Sequence, residues 1–524
     1  MKHDNFIGSA RLIAVLTVVS RVLGLWRDSV CLGYFGPIVW HYFVIPFQIP
    51  NLFRQLFGEG ALSSALIPVY TEQLHHDPAT AQRLVYSVVT MLAMVLTGLT
   101  ALGIAIVMLC LRWGDFDHKT LFVLALAALM LPYMIMICLI GTLSGLLNVH
   151  RSFGTPAAMP SLLNLCIIAS VFWLAPHMGH SRWEQITAVA LAILAAGALQ
   201  LVILYFPLRN AGVSLHLRFN FSEAPVKKVL LLMVPMVLGL SVTQFNVLMD
   251  SVIALILSAT PESGPTFTFA GFNIAYPVYE GSASYLYCAQ RLYQLPLGVF
   301  GIALATAIFP SLSSHAAAKD MEKFSATLVQ GFSTTLFIAL PAMAGLILIR
   351  KPLVAVIFQR GNFSPADTNA VATTLMFYSL GLVAYFMHHL LVRAYFALQD
   401  AKTPVKISVR MVAANFVLNC ILIWPLGVGG LALSTAFCAS LQAVILLWLL
   451  LKRYNLSLKN GLALNLVKST TAVVIMTLGG WITLRLLAEA SSVKQLAAAV
   501  SVCGVLYVVT SILLRNKELS ALLR

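Results

Sequence analysis

Residues 20–29 read SRVLGLWRDS, and they place Arg21 and Arg27 in or beside the first long apolar run of a chain that is 60% hydrophobic. An arginine at the centre of a bilayer costs at least ~2.5 kcal/mol on insertion scales, so such residues usually face a protein interior or a watery cavity and mark a pathway. The composition around the stretch decides that it lies in a bilayer. Only 10% of the 524 residues are charged and the mean hydropathy is +0.90, whereas a soluble domain carries roughly 25% charged residues. The chain reads as an all-α polytopic membrane protein. The residues ahead of the first apolar run lack the short apolar core and small-residue cleavage site of a removable signal peptide, so that run is expected to be a retained span.

A helix crossing the hydrocarbon core needs about 20 apolar residues. That ruler predicts fourteen transmembrane helices, near 8–33, 41–70, 85–111, 120–147, 157–176, 185–206, 228–258, 284–313, 325–349, 369–391, 405–424, 428–451, 465–486 and 493–514. With both termini placed in the cytoplasm, about 20 Lys and Arg fall on the cytoplasmic side and about 8 on the outer side, a clear positive-inside bias. Both termini are therefore expected to be cytoplasmic. The formal charge of +15 is dispersed among the spans with no run of five basic residues, which is a topology signal and not a nucleic-acid footprint. The eight cysteines fall in or beside apolar runs with no C-x-x-C pair, the pattern of buried apolar side chains and not of a disulfide framework or a zinc site. His75–His76 and His388–His389 lack partners at metal spacing, and there is no Walker sequence, so nothing points to an enzyme.

Five short words recur in the same order. FQIP (47–50) returns as YQLP (293–296), LIP (66–68) as IFP (308–310) and GTP (154–156) as KTP (402–404). LLNLCII (162–168) returns as VLNCILI (417–423), and LQLVIL (199–204) as LQAVIL (441–446). The separations of 242–255 residues span six helices, so the two copies share one orientation in the membrane. Parallel repeats of this kind occur in transporters, with substrate near the midplane where the repeats meet. The expected architecture is a six-helix lobe over 1–215, a second over 216–460 and an additional helix pair over 461–524.

Five arginines lie within or at the edge of spans, Arg21, Arg27, Arg54, Arg291 and Arg410, against three acidic residues, Asp28, Glu59 and Asp250. A cationic surplus inside a bundle suits an anionic ligand, and the guanidinium fork suits phosphate because it offers paired donors and stays protonated. A simple Arg27–Asp28 interfacial pair, and arginines that snorkel to headgroups, form the alternative reading. Around Arg54, Gly58 and Gly60 flank Glu59, and glycines there loosen a helix or admit another backbone. A second polar group comprises Thr243, Gln244, Asn246 and Asp250 in the seventh span, Asn415 and Asn419 one turn apart in the eleventh, and Ser434 and Thr435 in the twelfth. Carboxylate, amide and hydroxyl oxygens make a hard site for a small cation. They serve interhelical hydrogen bonding equally well, and the residues alone leave both readings open.

SRVLGLWRDSVCLGYFG (20–36), PNLFRQLFGEGALSSALIPVY (50–70), RLYQLPLGVFGIALATAIFPSLS (291–313), IFQRGNFSPADT (357–368) and QDAKTPVKI (399–407) together resemble the MurJ (MviN) family. These are lipid II flippases of peptidoglycan synthesis in the MOP exporter superfamily, and the resemblance covers essentially the whole chain. It implies a central cavity in which Ser20, Arg21, Arg27, Asn51, Arg54, Glu59 and Arg291 hold the substrate headgroup, and a groove at the last two spans for the polyprenyl tail. It implies transport from the cytoplasmic to the outer leaflet of a bacterial inner membrane by alternating access. Asp250, Asn415, Asn419 and Thr435 match the sodium site of sodium-binding members; no other cofactor is implied. The expected partners are lipid II, membrane lipids and cell-wall synthesis proteins, with no nucleic acid. The chain departs from the family at His41 and Gln290, where members usually carry Asp, and in an outer segment (260–284) longer than usual. Export of a different polyprenyl-diphosphate glycan, and a non-transporting membrane scaffold, are the alternatives.

Overall fold

A computed structural model describes residues 2–58, 60–114, 116–269, 271–456 and 462–522. The chain divides into two compact units, Met1–Leu255 and Ile256–Arg524.

The first unit begins with α1 (Lys2–Phe53), which is two helices joined at Gly36, where φ is 79° and ψ is 163°. Only glycine adopts that φ without strain, and Pro37 after it disfavours a helical ψ, so the chain must break there. Together with α2 (Ala61–His76) this makes a helical run, Leu12–His76, of 65 residues. At 1.5 Å per residue the run measures ~97 Å, about three times a ~30 Å hydrocarbon core. The break at Gly36 falls between the expected spans 8–33 and 41–70. There follow α3 (Pro78–Trp113), α4 (His118–Val149), α5 (Gly154–Ala169), the short α6 (Arg182–Gln185), α7 (Thr187–Asn210) and α8 (Ala224–Ile256). The central helix is α4, packed on α1, α3 and α7 and burying Met130, Tyr133, Met134, Cys138 and Leu146. The linker before α8 is strapped to α3: Gln82 Nε2 donates to the Gly212 carbonyl at 2.9 Å and the Arg218 amide to Thr90 Oγ1 at 3.1 Å. Lys228 pairs with Glu72 at 2.7 Å. These bonds tie the start of α8, which the sequence repeat counts as the first helix of the second lobe, to the first unit.

The second unit opens with four short strands, β1 (Ser258–Ala259), β2 (Thr266–Phe269), β3 (Phe272–Ala275) and β4 (Val278–Tyr279). β2 and β3 form an antiparallel hairpin, and β1 pairs with β4 in parallel. This is the one departure from an all-helical chain among the described residues. Then come α9 (Ser282–Pro296), α10 (Ile302–Ala317), α11 (Met321–Phe358), α12 (Pro365–Leu380), α13 (Leu382–Ala397), α14 (Lys402–Leu426), α15 (Val428–Tyr454), α16 (Leu462–Leu486), α17 (Ser492–Leu513) and α18 (Lys517–Leu522). The expected single span 369–391 is bent by 43° between α12 and α13. Its hinge, Gly381, lies so close to α15 that a Cβ would stand 2.8 Å from the Ala436 Cα. The last helix pair docks on α11 through Phe337, Met476, Cys503 and Tyr507, whose hydroxyl donates to the Phe337 carbonyl at 2.6 Å. The buried Glu518 of α18 accepts from Thr334 Oγ1 at 2.7 Å and Asn465 Nδ2 at 3.3 Å. Among the described residues, eleven helices, or twelve with the bent pair, are long and apolar enough to cross a membrane. That tally takes Leu12–His76 once and omits α8, so it is compatible with fourteen crossings.

The repeat is legible in the backbone. A π-helical segment occurs at Arg54–Gly58 and again, at the repeat spacing, at Leu297–Gly301. Non-glycine residues in the left-handed region close the helices at Arg151 (φ 60°) and Gln399 (φ 59°), just before GTP and KTP. Asp77 caps α3 and Asp320 caps α11, again at the repeat spacing.

Candidate functional site

In the first unit, Arg27 is 7% exposed and Asp28 1%. The guanidinium donates to Asp28 Oδ1 through Nε at 2.9 Å and Nη2 at 2.5 Å, and through Nη1 to Asn164 Oδ1 at 3.0 Å. It also stands over the Phe47 ring, 5.6 Å from the centroid. Asn164, on α5, donates in turn to the Ser20 carbonyl at 3.2 Å. Arg27 is thus the centre of a buried knot joining both arms of α1 to α5, which the interfacial-pair reading only half describes. Ser20 is half-buried and Arg21 exposed.

Arg54 opens the π-helical segment, half-buried, with its Nε 3.3 Å from Asn51 Oδ1; Asn51 in turn donates to the Phe47 carbonyl at 2.9 Å. The widened turn is held from two sides. The Ser63 hydroxyl donates to the Gly58 carbonyl at 2.5 Å. Across from it, a Cβ on Gly141 of α4 would come within 2.6 Å of the Gly58 Cα. Such π-bulges, with one residue more per turn, are frequent at functional sites. Glu59 and the side chain of Thr243 lie outside the described residues.

In the second unit, Arg291 on α9 is half-buried; its Nη2 donates to the Tyr287 hydroxyl at 3.1 Å and the guanidinium stands 4.8 Å from that ring's centroid. The next π-helical segment begins six residues on, at Leu297. Gln290 donates to the Tyr378 hydroxyl at 3.0 Å, and Tyr293 packs on both Tyr378 and Tyr385 with ring centroids 5.0 and 5.1 Å away. Gln290 thus makes a neutral bond to α12. His41, in the first unit, is fully buried edge-to-face on Tyr42. Arg410 is on the exposed face of α14.

The second polar group divides. Buried Asn415, Asn419 and Ser434 and half-buried Thr435 form one cluster of α14 and α15. Asn419 Nδ2 donates to Asn415 Oδ1 at 3.0 Å, Asn415 Nδ2 to Thr435 Oγ1 at 3.3 Å, and the Ser434 hydroxyl to Asn419 Oδ1. Thr435 donates its own proton to the Leu431 carbonyl at 3.1 Å, which turns its lone pairs away from its own helix. Amide and hydroxyl oxygens are the hard donor type that a small cation takes, and here they bond to one another across two adjacent helices. Asp250 is completely buried, on α8 of the first unit.

Asn164 and Tyr287 were not singled out from the residues. The signal for Asn164 was present, since LLNLCII and VLNCILI align it with Asn419. The two repeat-related asparagines are both buried and serve different polar groups, an arginine in one unit and the amide–hydroxyl cluster in the other.

The model of the family described as Lipid II flippase MurJ matches residues 34–501. A probable lipid II flippase MurJ of Vibrio cholerae serotype O1 is 31% identical over 460 residues, 84% of this chain and 82% of that one. The lipid II flippase MurJ of Burkholderia cenocepacia is 32% identical over 462 residues, 86% and 84% of the two chains. Among solved structures, a lipid II flippase MurJ in an inward closed conformation superposes with a TM-score of 0.75 at 24% identity, over 96% of this chain and 99% of its own. An inward-facing multidrug resistance MATE family transporter of the MOP superfamily superposes with a TM-score of 0.65 at 13% identity, over 84% and 97%. These two likenesses are of fold.

Proposed function

The chain belongs to the lipid II flippase MurJ family, and from that premise we propose that it moves lipid II from the cytoplasmic to the outer leaflet of the bacterial inner membrane by alternating access, with Arg54 and Arg291 as its diphosphate-binding groups. It is a transporter, not an enzyme. The observation that carries the assignment of residues is the contrast among the arginines. Arg27 is buried with its guanidinium on Asp28 and Asn164, whereas Arg54 and Arg291 are half-exposed, each in or just before a π-helical segment of its own repeat. Arg27 is a positioning residue that orients the first arm of α1, and with it Ser20 and Arg21. Asn51 holds the Arg54 side chain.

Arginine pairs bidentately with phosphate oxygens and keeps its charge throughout, so a diphosphate drawn from the headgroup layer exchanges water for fixed cationic donors. The Asn415–Asn419–Thr435 oxygens hold sodium in this reading, which would supply a fixed positive charge in the second unit and couple transport to an ion gradient.

Binding of the full-length protein to lipid II, compared with an unrelated undecaprenyl-diphosphate glycan, tests the assignment. Selective lipid II binding that is lost in Arg54→Ala and in Arg291→Ala supports it. Equal binding of both lipids replaces it with a broader glycolipid exporter, and undiminished binding by both variants removes the arginines from the site.

A further inference from the structure

We propose that the hairpin of β2 and β3 is a membrane-interfacial element, whose apolar face lies in the bilayer surface at that end of the second unit. The register pairs Thr266 with Ala275, Phe267 with Ile274 and Thr268 with Asn273. Cross-strand partners share a face and successive residues alternate. Phe267, Ile274 and Phe272 therefore fall on one face, and Thr266, Thr268 and Asn273 on the other, where the Thr268 hydroxyl donates to Asn273 Oδ1 at 2.8 Å. From Ser263 through Tyr279 there is no Asp, Glu, Lys or Arg.

Half of the apolar face is seated within the unit. The Phe267 ring centroid lies 4.9 Å from that of Tyr276 and 6.4 Å from that of Trp424, near the end of α14. The Pro277 carbonyl faces Gly427, the glycine between α14 and α15, at 3.4 Å from where its Cβ would be. The other half is not seated: Phe272 is 73% exposed, and Tyr279 beyond the hairpin is 75% exposed.

What it meets follows from continuity with α14. That helix buries Asn415, Asn419 and Ile423, and on the opposite side exposes a stripe of Val409, Phe416, Val417, Ile421 and Trp424 along its length. In a membrane-spanning helix such a stripe is the lipid-facing one. Tryptophan is enriched where that surface reaches the headgroups. The hairpin rests on Trp424, so its overhanging apolar end prolongs the lipid-facing stripe into the interfacial layer. A two-stranded ribbon is marginal in water by itself, and an uncharged amphipathic element with one aromatic face gains its stability by inserting that face at the headgroup–acyl boundary.

The test uses full-length protein in phosphatidylethanolamine–phosphatidylglycerol vesicles, with the photoreactive residue p-benzoylphenylalanine placed at position 272 or, as the solvent control, at position 262. Irradiation is expected to give a phospholipid adduct at 272 several-fold above that at 262. Equal adduct yields at the two positions, or a crosslink at 272 to a co-purified protein in place of lipid, overturn the proposal. Hydroxyl-radical footprinting of the unsubstituted protein is the second measurement. Oxidation of Phe272 in bilayers is expected to be several-fold below that in a free peptide of residues 261–280, and an equal rate overturns the proposal without reliance on any variant.

Discussion

Gly141 of α4 meets Gly58 of the π-helical segment backbone to backbone, since a Cβ on Gly141 would stand 2.6 Å from the Gly58 Cα and 2.8 Å from its carbonyl oxygen. Nothing in that contact is a flexible side chain that could yield. The widened turn that presents Arg54 is thus held against α4 at a place where neither segment carries a side chain.

Gly141→Ala is therefore expected to destabilise the first unit by ~1–3 kcal/mol, the usual range for overpacking. It should also weaken lipid II binding by displacing Arg54. Gly58→Ala should be milder, because its Cβ would meet the Ile137 carbonyl at 3.4 Å and otherwise fill near-contact space. Thermal unfolding of the two variants checks the order; a Gly141→Ala protein as stable as wild type would contradict it.

Arg27→Ala removes the guanidinium from a 1% exposed Asp28. Stripping one partner from a buried pair typically costs ~3–5 kcal/mol, because a buried charge is left behind. Replacing both residues, Arg27→Ala with Asp28→Ala, should recover part of that loss. A double variant less stable than Arg27→Ala alone would show that Asp28 is held by other groups.

Sodium should raise the unfolding midpoint of the wild-type protein. A ligand specific for the native state at 100 times its Kd contributes ~2.7 kcal/mol. Asn419→Ala, which removes an amide oxygen from the cluster, should abolish the shift while potassium leaves both proteins unchanged. An identical sodium shift in wild type and variant would assign the effect elsewhere.

The two repeat-related caps make a pH prediction. The Thr80 hydroxyl bonded to Asp77, helped by the Ala79 amide, holds the Asp77 carboxyl below the ordinary aspartate value. The Lys323 amide and then its ammonium do the same for Asp320. A carboxyl lowered by folding stabilises the native state above its unfolded value, and that contribution fades as pH falls through the folded one. The first turns of α3 and α11 should accordingly open on acidification. Asp77→Asn and Asp320→Asn, which still cap, should remove the pH dependence but not the turn. Hydrogen exchange at Ala81 and Phe324, measured against pH, distinguishes the two.

Much of the fold was readable one residue at a time. Membrane spans announce themselves because hydrocarbon forces every backbone polar group into a helix and nearly every outward side chain to be apolar. Their lengths and the repeat words therefore carry the architecture, down to the asparagines of LLNLCII and VLNCILI. The break at Gly36 is local, since Pro37 follows it, but the bend at Gly381 was not readable in the same way. It depends on what stands opposite, Ala436 of α15, and a glycine in an apolar run does not say whether it bends the chain or merely fits.

The site divides along the same line. Sequence by itself determined that this chain spans a membrane, that it is built of two parallel repeats, and that its spans carry more arginine than acid, because those are matters of composition and order. Only the tertiary structure decided which arginine is buried among partners and which stays half-exposed. Arg27 and Arg54 are equally cationic in sequence, but α5 brings Asn164 and Ser20 around the first, while Gly141 and Ser63 brace the turn that leaves the second half-exposed. Burial and partnership are properties of helices distant in the chain meeting at one point, and that distance is why no local pattern records them.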